Sequence, residues 1–291
     1  MAIIFLLEQV LNGLLVAAYY LLIALGLSLI FSLGGIVNLA HGGFYAIGAY
    51  LAVTLAPHIG FGGAFVASPV LVAIIGIIVE RLFFRRFYRQ DPILSLLLTF
   101  GLAMIIEQSL RMIYGAAPIP FSIPTFLRGQ VFLGDFLYPR YRLIIFGVAL
   151  AAVLATWFIV YRTTFGRVVR AGVQNPDMVG ALGIPLQPYM TAIAALGFGL
   201  AGLAGVMLAP ITGVHPAMGA EMLVAAFVVV VIGGLGSFWG VILAALLVGV
   251  VKGVTIYFYP PAGEASMYLL MALVLLLRPR GLLGERIQRF E

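Results

Sequence analysis

The sequence predicts an all-α, polytopic membrane protein with eight or nine transmembrane helices, and three observations lead to this fold class. Hydrophobic residues make up 64% of the 291 positions and charged residues only 9%, whereas charged residues form about a quarter of a typical soluble protein. Uncharged stretches run from Gln9 to Val79 and from Met178 to Ala220, far beyond the roughly 20 apolar residues that one membrane-spanning helix requires. The 35 glycines and the scarcity of strictly alternating polar residues favour closely packed helices over an outer-membrane β-barrel.

Breaks in the apolar pattern divide the chain into candidate spans. They lie near residues 9–32, 39–56, 62–80, 93–114, 142–161, 189–210, 220–233, 238–258 and 264–277. The break at Gly34–Asn38 is short, so residues 39–56 could form a re-entrant or broken helix, which would leave eight spans. The last span has only 13 uncharged residues, Ala265–Leu277, which is short for a bilayer unless the span is extended or the bilayer is locally thinned.

Basic residues predict the orientation. Three polar breaks carry 11 of the 16 basic residues: Arg81, Arg85, Arg86 and Arg89; then Arg162, Arg167 and Arg170; then Arg278, Arg280, Arg286 and Arg289. With nine spans all three breaks fall on one side, and the excess of Lys and Arg on cytoplasmic loops makes that side cytoplasmic. The N-terminus is then outside and the C-terminus cytoplasmic. The same rule accounts for the net charge of +6 without a nucleic-acid partner.

Two glycine-rich segments echo each other along the chain. Gly34–Ile36 leads into a helix rich in glycine and alanine, and Gly233–Gly240 leads into another. Paired glycine-interrupted segments point to the transport path in transporters built from repeats, which makes Gly234 and Ser237 candidate path residues. Close helix packing through small residues explains the same glycines equally well.

The segment Gly34–Tyr50 is the most informative part of the sequence. We expect Asn38 to cap a helix whose first turn holds His41, Gly42 and Gly43. A helix that starts at membrane depth directs unpaired amides and the positive end of its dipole into the interior, where they would attract a carboxylate. Glycine would let that ligand approach the backbone. For His41 alone, an interhelical hydrogen bond is the alternative to contact with a ligand.

The stretch Thr163–Ile184 is too polar to span a membrane and too apolar to be a free linker. Its apolar residues recur at roughly helical spacing, which predicts a short amphipathic helix at the cytoplasmic face. Arg167 and Arg170 would face either lipid phosphates or the acidic groups of a docked partner. Composition favours neither alternative.

A few charged residues lie near or within the spans. Glu107 and Arg111 are four residues apart, so we expect an ion pair within one helix. Lys252 lies within a span, where it could reach toward the interface, pair with Glu107 or Glu221, or take part in a proton relay.

Several short motifs follow one another in order over nearly the whole chain. They are Leu11-Asn12-Gly13, Tyr19-Tyr20 and Ala24-Leu25-Gly26; Asn38-Leu39-Ala40-His41-Gly42 and Gly48-Ala49-Tyr50; Gly166-Arg167, Arg170-Ala171, Asn175-Pro176 and Gly183-Ile184; Ala201–Gly205; and Gly233–Ser237. As an ordered set they resemble the permease subunits of ABC importers of the branched-chain amino-acid type, and among these the LivH-like partner. Met178 and Val179 depart from the resemblance, since family members more often carry alanine there.

The resemblance implies a single transmembrane permease domain over residues 1–291, with a cytoplasmic coupling segment at residues 163–184. The residues expected to couple the chain to an ATP-binding subunit are Arg167, Arg170, Ala171, Asn175 and Gly183. Those expected along the translocation path are Asn38, His41, Gly42, Gly43, Gly234 and Ser237. The implied partners are ATP-binding subunits, a second, homologous permease subunit in a heterodimer, an extracytoplasmic solute-binding protein and membrane lipid.

We therefore expect the permease subunit of an ATP-driven importer for branched-chain or related amino acids, in a bacterial or archaeal cytoplasmic membrane. The sequence has no Gly-x4-Gly-Lys-Ser/Thr phosphate loop and no hydrolase motif, so we expect neither an enzyme nor a bound cofactor, with ATP on partner subunits. It has no cysteine, and its three histidines are far apart, so no metal site is expected. The alternative is an ion-coupled secondary transporter, although such proteins usually place carboxylates at the membrane midplane.

Overall fold

The computed structural model describes residues 2–88, 90–133 and 136–284, and its described part is dominated by helices. The longer helices are α1 (Ala2–Gly34), α2 (His41–Leu82), α3 (Pro92–Tyr114), α4 (Arg140–Arg162), α7 (Gln187–Thr212), α8 (Met218–Gly233), α9 (Phe238–Phe258) and α10 (Gly263–Leu277). Two short helices, α5 (Thr164–Gln174) and α6 (Pro176–Ala181), connect α4 to α7. The connection from α3 to α4 holds a two-stranded antiparallel hairpin that the all-α prediction omitted, β1 (Gln130–Leu133) and β2 (Phe136–Pro139).

Glycines bring the central helices into close contact. A Cβ atom placed on Gly48 of α2 would lie 2.6 Å from the Cα of Gly202 in α7, and one on Gly197 of α7 would lie 2.7 Å from the carbonyl oxygen of Gly26 in α1. Helices in a bilayer gain little from apolar transfer, so close backbone approach through small residues is a main source of their association. The high glycine content therefore serves packing at the centre of the bundle.

The helix α2 folds back on itself at Gly60, whose φ of 73° and ψ of 165° are not helical. Its first leg, residues 41–59, packs Gly48 on Gly202 of α7, and its second leg, residues 61–82, packs Val72 on the same glycine. A straight helix of 42 residues would hold those two contacts roughly 36 Å apart. The two legs are therefore antiparallel, as predicted from the separate apolar segments 39–56 and 62–80.

The number of crossings follows from this reversal. Among the described residues, seven helices are long and apolar enough to cross a membrane, with α2 taken as one and the 16-residue α8 left out. Counting both legs of α2 and including α8, the described chain passes through the bundle nine times. Residues 35–40 are not helical, so the second crossing combines a non-helical segment with the first leg of α2. It still counts as a crossing, and the total is nine rather than eight.

One end of the bundle collects the basic segments, and we call it the basic face. The end of α1 lies between two of the loops at this face. Gly34 contacts Tyr88 in the loop after α2, and Ser32 contacts Gly236 in the loop before α9. Nearby, Tyr161 packs on Phe238 with ring centroids 5.5 Å apart. The predicted grouping of the basic segments on one side is therefore present for the described residues; Arg89, Arg286 and Arg289 lie outside them.

The opposite face is closed by the connection between α3 and α4. A β-bridge joins Ile119 to Val214, which follows α7. From β2, the hydroxyl of Tyr138 donates a hydrogen bond of 3.0 Å to Oδ1 of Asn12 in α1. The start of α1 thus lies at the opposite face, while the segment after α10 lies at the basic face, where the amide of Leu282 donates to the carbonyl of Ile232 at 2.8 Å.

Candidate functional site

The helix α2 begins deep inside the bundle, after the non-helical residues 35–40. The side-chain oxygen of Asn38 accepts a hydrogen bond of 3.0 Å from the amide of Ala40, but α2 has no side-chain cap hydrogen bond, so the prediction that Asn38 caps this helix is wrong. The helix itself starts later than predicted, at His41, with Ala40 in the capping position. A turn at residues 39 and 40 separates Asn38 from the helix, so its side chain stabilises this turn and does not reach the amides of the first helical turn.

His41 is completely buried at this helix start. Its Nε2 lies 3.2 Å from the carbonyl oxygen of Ile23 in α1, and since a carbonyl accepts only, Nε2 carries the proton. Its ring packs on Phe198 of α7 at a centroid distance of 5.8 Å. The interhelical hydrogen bond considered for His41 is therefore present, and it ties the start of α2 to α1 and α7.

Gly42 meets Gly219, and through them the starts of two helices abut. A Cβ on Gly219 would lie 2.6 Å from the carbonyl oxygen of Gly42, and a Cβ on Gly42 would clash with Gly219 and lie 2.8 Å from Cβ of Leu223. We call this contact the glycine crossing. From it the first leg of α2 runs to the opposite face and α8 runs to the basic face, so the positive ends of two helix dipoles meet inside the bundle.

A polar cavity of about 530 Å³ lies between the glycine crossing and the opposite face. We call it the polar chamber and define it by six lining residues, Tyr20, Tyr45, His215, Glu221, Lys252 and Glu264. Methionines and Leu208 supply its apolar wall. Tyr45, three residues after Gly42, and Met218, next to Gly219, place the floor of the chamber at the crossing.

Lys252 is held inside this chamber by two partners. Its Nζ donates to Oε1 of Glu264 at 2.6 Å and to the hydroxyl of Tyr20 at 2.8 Å. The predicted partners, Glu107 and Glu221, are wrong: Glu107 accepts from Arg111 at 3.1 Å, as expected within one helix, and Glu221 lies 3.8 Å from His215. The reversal between α9 and α10 brings Lys252 and Glu264 together. The predicted spans 238–258 and 264–277 place this turn correctly, but apolar periodicity does not indicate which side chains meet across it.

Gly234 and Ser237 lie at the basic face, away from the glycine crossing. Gly234 has a φ of 100° and packs on Gly284, and the Ser237 hydroxyl caps α9 by accepting a 3.1 Å hydrogen bond from the amide of Gly240. The segment that holds Gly234 and Ser237 lies beside the end of α1. The start of α2 is instead contacted by Gly219, at the start of α8. The echo in the sequence therefore pairs two segments at the same face, whereas the structural counterpart of the start of α2 is the start of α8.

The stretch 163–184 forms two helices where one was predicted. The Thr163 hydroxyl caps α5 by accepting from the amide of Gly166 at 3.1 Å, and the Asn175 side chain caps α6 by accepting from the amide of Met178 at 2.9 Å. Proline at position 176 cannot donate a backbone hydrogen bond, so it ends α5 and begins α6. Four of the predicted coupling residues are exposed on this segment: Arg167, Ala171, Asn175 and Gly183.

Arg170 differs from the other predicted coupling residues because it turns back toward α4. Its guanidinium donates to the carbonyl oxygen of Val160 and lies over the ring of Tyr161, 4.9 Å from the centroid. A cation over an aromatic face and a charge-assisted bond to a helix C-terminus both stabilise this arrangement. Arg170 thus fixes α5 on the end of α4, while Arg167 is the arginine of the pair that faces outward.

A buried carboxylate at the basic face was not singled out from the sequence. Glu80, in the second leg of α2, accepts a hydrogen bond of 2.9 Å from the Tyr88 hydroxyl and one of 2.7 Å from Thr191 of α7. Burial, reinforced by the Glu80 charge, raises the pKa of Tyr88, so this hydroxyl keeps its proton and remains a donor. The hydrogen bond from Thr191 to Glu80 joins the start of α7 to the second leg of α2. This contact lies next to the segment that holds Arg167.

Comparison with known proteins identifies the family of this chain. A sequence profile of the family described as "Branched-chain amino acid transport system / permease component" matches residues 9–277. The chain belongs to this permease family. The match covers every crossing of the bundle, the glycine crossing and the segment 163–184, so the chain is a permease component and a multi-pass protein of the cytoplasmic membrane. Family membership gives no support to the ion-coupled alternative.

Individual relatives agree with the family. The permease is 29% identical to the high-affinity branched-chain amino acid transport system permease protein BraD of Pseudomonas aeruginosa, with 96% of each chain covered. It is 26% identical to LivH of Escherichia coli K12, over 97% of its own length and 96% of the relative. It is also 30% identical to the permease protein LivM of Salmonella typhimurium, over 91% of its own length and 67% of the relative.

The permease brings together four of the six residues predicted for the path, and it also forms a polar chamber that the sequence did not indicate. Asn38, His41, Gly42 and Gly43 share the start of α2, and Gly43 lines an apolar groove against Ile106 of α3. Of the polar chamber, Lys252 stood out in the sequence as a charged residue within a span, with Glu221 as a possible partner, and Tyr20 belongs to a motif of the family resemblance. Tyr45 and Glu264 gave no signal, because aromatic residues and acidic span ends are common in membrane helices.

Proposed function

We propose that this permease provides the path by which branched-chain or related amino acids cross the cytoplasmic membrane, as one subunit of an ATP-driven importer. The observation that carries the proposal is the glycine crossing, where two helices start inside the bundle of a permease-family protein. The positive dipole ends at such helix starts favour a carboxylate, which every amino acid carries. The names of the relatives BraD and LivH support the same solute class.

The path residues proposed are Asn38, His41, Gly42 and Gly43 at the crossing, with Gly234 and Ser237 nearer the basic face. Asn38 and His41 are fully buried, so a solute reaches them only when the first leg of α2 separates from α8. Contact with a helix dipole is worth about 0.3–1 kcal/mol, and up to about 2 kcal/mol when partly buried. Such weak contact suits a path, because a deep free-energy well would slow release.

The segment 163–184 is the proposed docking site for an ATP-binding subunit. Arg167 and the side chains of Met178 and Leu182 are exposed there, the latter two by 59% and 72%. Exposed apolar side chains beside a cation suit a protein partner, because apolar area gives affinity and the charge fixes register. With no phosphate loop in this chain, ATP and its hydrolysis are assigned to that partner, and no cofactor to the permease.

Two further partners complete the proposed importer. A second permease subunit would form a heterodimer with this one, since the chain also resembles LivM, which is named as a permease protein of a high-affinity branched-chain amino acid transport system. The basic face is assigned to the cytoplasm by the excess of arginine there, so the opposite face, with the polar chamber, would receive the solute from an extracytoplasmic binding protein.

The test is uptake of L-leucine into proteoliposomes that contain the permease with its cognate second permease and ATP-binding subunits. Uptake should require internal ATP and external binding protein and should continue when ionophores collapse the ion gradients. Uptake that needs no ATP and stops with the ionophores would refute the proposal in favour of ion-coupled transport. Uptake of other amino acids, tested in the same vesicles, defines the solute range.

A further inference from the structure

Lys252 is the feature of the polar chamber that the proposed function leaves unexplained. A lysine within an apolar helix is costly, and such residues usually mark a solute or ion path. Its side chain is only 11% exposed, and its ammonium group has three hydrogens. Two of them are used by Glu264 and Tyr20, so the third is free to bind an acceptor inside the chamber.

The carboxylates of the chamber provide the complementary charge. Glu221 and Glu264 have side chains that are 69% and 68% exposed, and both line the same cavity as Lys252. A carboxylate offers about four acceptor positions, of which Glu264 uses one for Lys252. The chamber can therefore receive an anionic group at Lys252 and a cationic group at either glutamate.

The remaining wall fits an aliphatic side chain. Met218, Met222, Met267 and Leu208 line the chamber, and methionine adapts its shape to different apolar groups. The volume of about 530 Å³ falls within the roughly 300–1,000 Å³ of sites for small molecules. A site with an ammonium, carboxylates and an apolar wall matches a zwitterion with an aliphatic side chain.

We infer that the polar chamber is a transit site for zwitterionic α-amino acids, in which Lys252 binds the solute carboxylate and Glu221 or Glu264 binds its ammonium group. The inference rests on the proposed function and deepens it, because the chamber precedes the glycine crossing on the way from the opposite face. A solute leaving the chamber with its carboxylate forward would next meet the positive ends of the two helix dipoles at that crossing.

The first test uses Lys252→Met in the complete importer, with L-leucine uptake and ATPase stimulation by loaded binding protein measured on the same vesicles. Uptake should fall at least tenfold while ATPase stimulation persists. Arg111→Met is the matched control, because it removes a cation from an ion pair outside the chamber, and it should keep uptake within twofold. Uptake by Lys252→Met within twofold of the unchanged importer would overturn the inference.

The double variant Lys252→Met with Glu264→Gln separates binding from structure. If the pair only stabilises the contact between α9 and α10, removing both charges together should restore uptake, since no unpaired charge remains. If Lys252 binds the solute, uptake should stay at least tenfold below that of the unchanged importer. Restoration in the double variant would refute the transit site.

Thiol labelling tests the chamber without transport. Met222→Cys introduces a single thiol into this cysteine-free chain, and L-leucine at tens of millimolar should slow its reaction with a methanethiosulfonate reagent, whereas equal glycerol should not. Leu235→Cys, exposed at the basic face, should be unprotected. Lack of protection at Met222→Cys would overturn the inference. Absence of leucine uptake by the unchanged importer would instead refute the proposed function, and protection would still decide the chamber.

Discussion

A methyl group at the glycine crossing is the sharpest perturbation that the structure offers. In Gly42→Ala the new Cβ would lie 2.8 Å from the carbonyl carbon of Gly219 and 2.8 Å from Cβ of Leu223, whereas such atoms pack best at about 3.5–4.0 Å. The first leg of α2 and α8 must therefore move apart by about 1 Å. Overpacking of this size costs about 1–3 kcal/mol, which exceeds the gain of about 0.5–1 kcal/mol from replacing a helical glycine.

The matched control is Gly101→Ala in α3, where a Cβ would meet nothing within 4 Å. This variant keeps only the helical gain, so it should be at least as stable as the unchanged chain. Gly219→Ala should reproduce the effect of Gly42→Ala, because its Cβ would lie 2.6 Å from the carbonyl oxygen of Gly42. The double variant should cost less than the two single variants together, since one displacement accommodates both methyl groups.

The assay is thermal unfolding of the assembled importer together with L-leucine uptake. We expect Gly42→Ala to lower the unfolding midpoint and to slow uptake, and the bulkier Gly42→Val to abolish uptake while the affinity of the binding protein for the solute is unchanged. Assembly of the subunits is measured separately. If Gly42→Ala unfolds and transports like Gly101→Ala, the crossing is not tightly packed; if an assembled Gly42→Val transports at the normal rate, the segment does not line the path.

Three further predictions follow from the same geometry. Arg85→Cys and Arg128→Cys should react with an impermeant thiol reagent from opposite sides of the membrane, with position 85 on the cytoplasmic side. Labelling of both variants from the same side would contradict the topology. Arg167→Glu should weaken binding of the ATP-binding subunit with little effect on thermal stability. Arg170→Glu should also destabilise the permease, because Arg170 holds α5 on the end of α4. Equal thermal stability of the two variants would refute these separate roles of Arg167 and Arg170. Asn38→Ala should lower stability by only about 1 kcal/mol and leave uptake largely intact, since it removes one hydrogen bond, from the amide of Ala40. Complete loss of uptake in an assembled variant would show that Asn38 acts on the solute.

The sequence predicted the parts of the fold that depend on local composition. Apolar length gave the crossings, including both legs of α2, and the arginine clusters gave the grouping at one face, because both signals are averages over many residues. The pair of Glu107 and Arg111 was predictable for a similar reason, since residues four apart on a helix always lie on one side. The family resemblance rested on motifs that are contiguous in the chain.

Tertiary structure decided which distant residues meet. Nothing local to Gly42 indicates that Gly219 is its neighbour, and the echo between Gly34–Ile36 and Gly233–Gly240 pointed to a different pairing. Lys252 was recognised as unusual, but its pairing with Glu264 depends on how α9 and α10 face each other after the turn, which the predicted span ends do not fix. Periodicity indicates which face of a helix is apolar, but not which helix covers that face. The sequence by itself therefore determined a helical permease with an interrupted apolar pattern near Asn38. Only the packing of the nine crossings decided where the glycine crossing and the polar chamber lie.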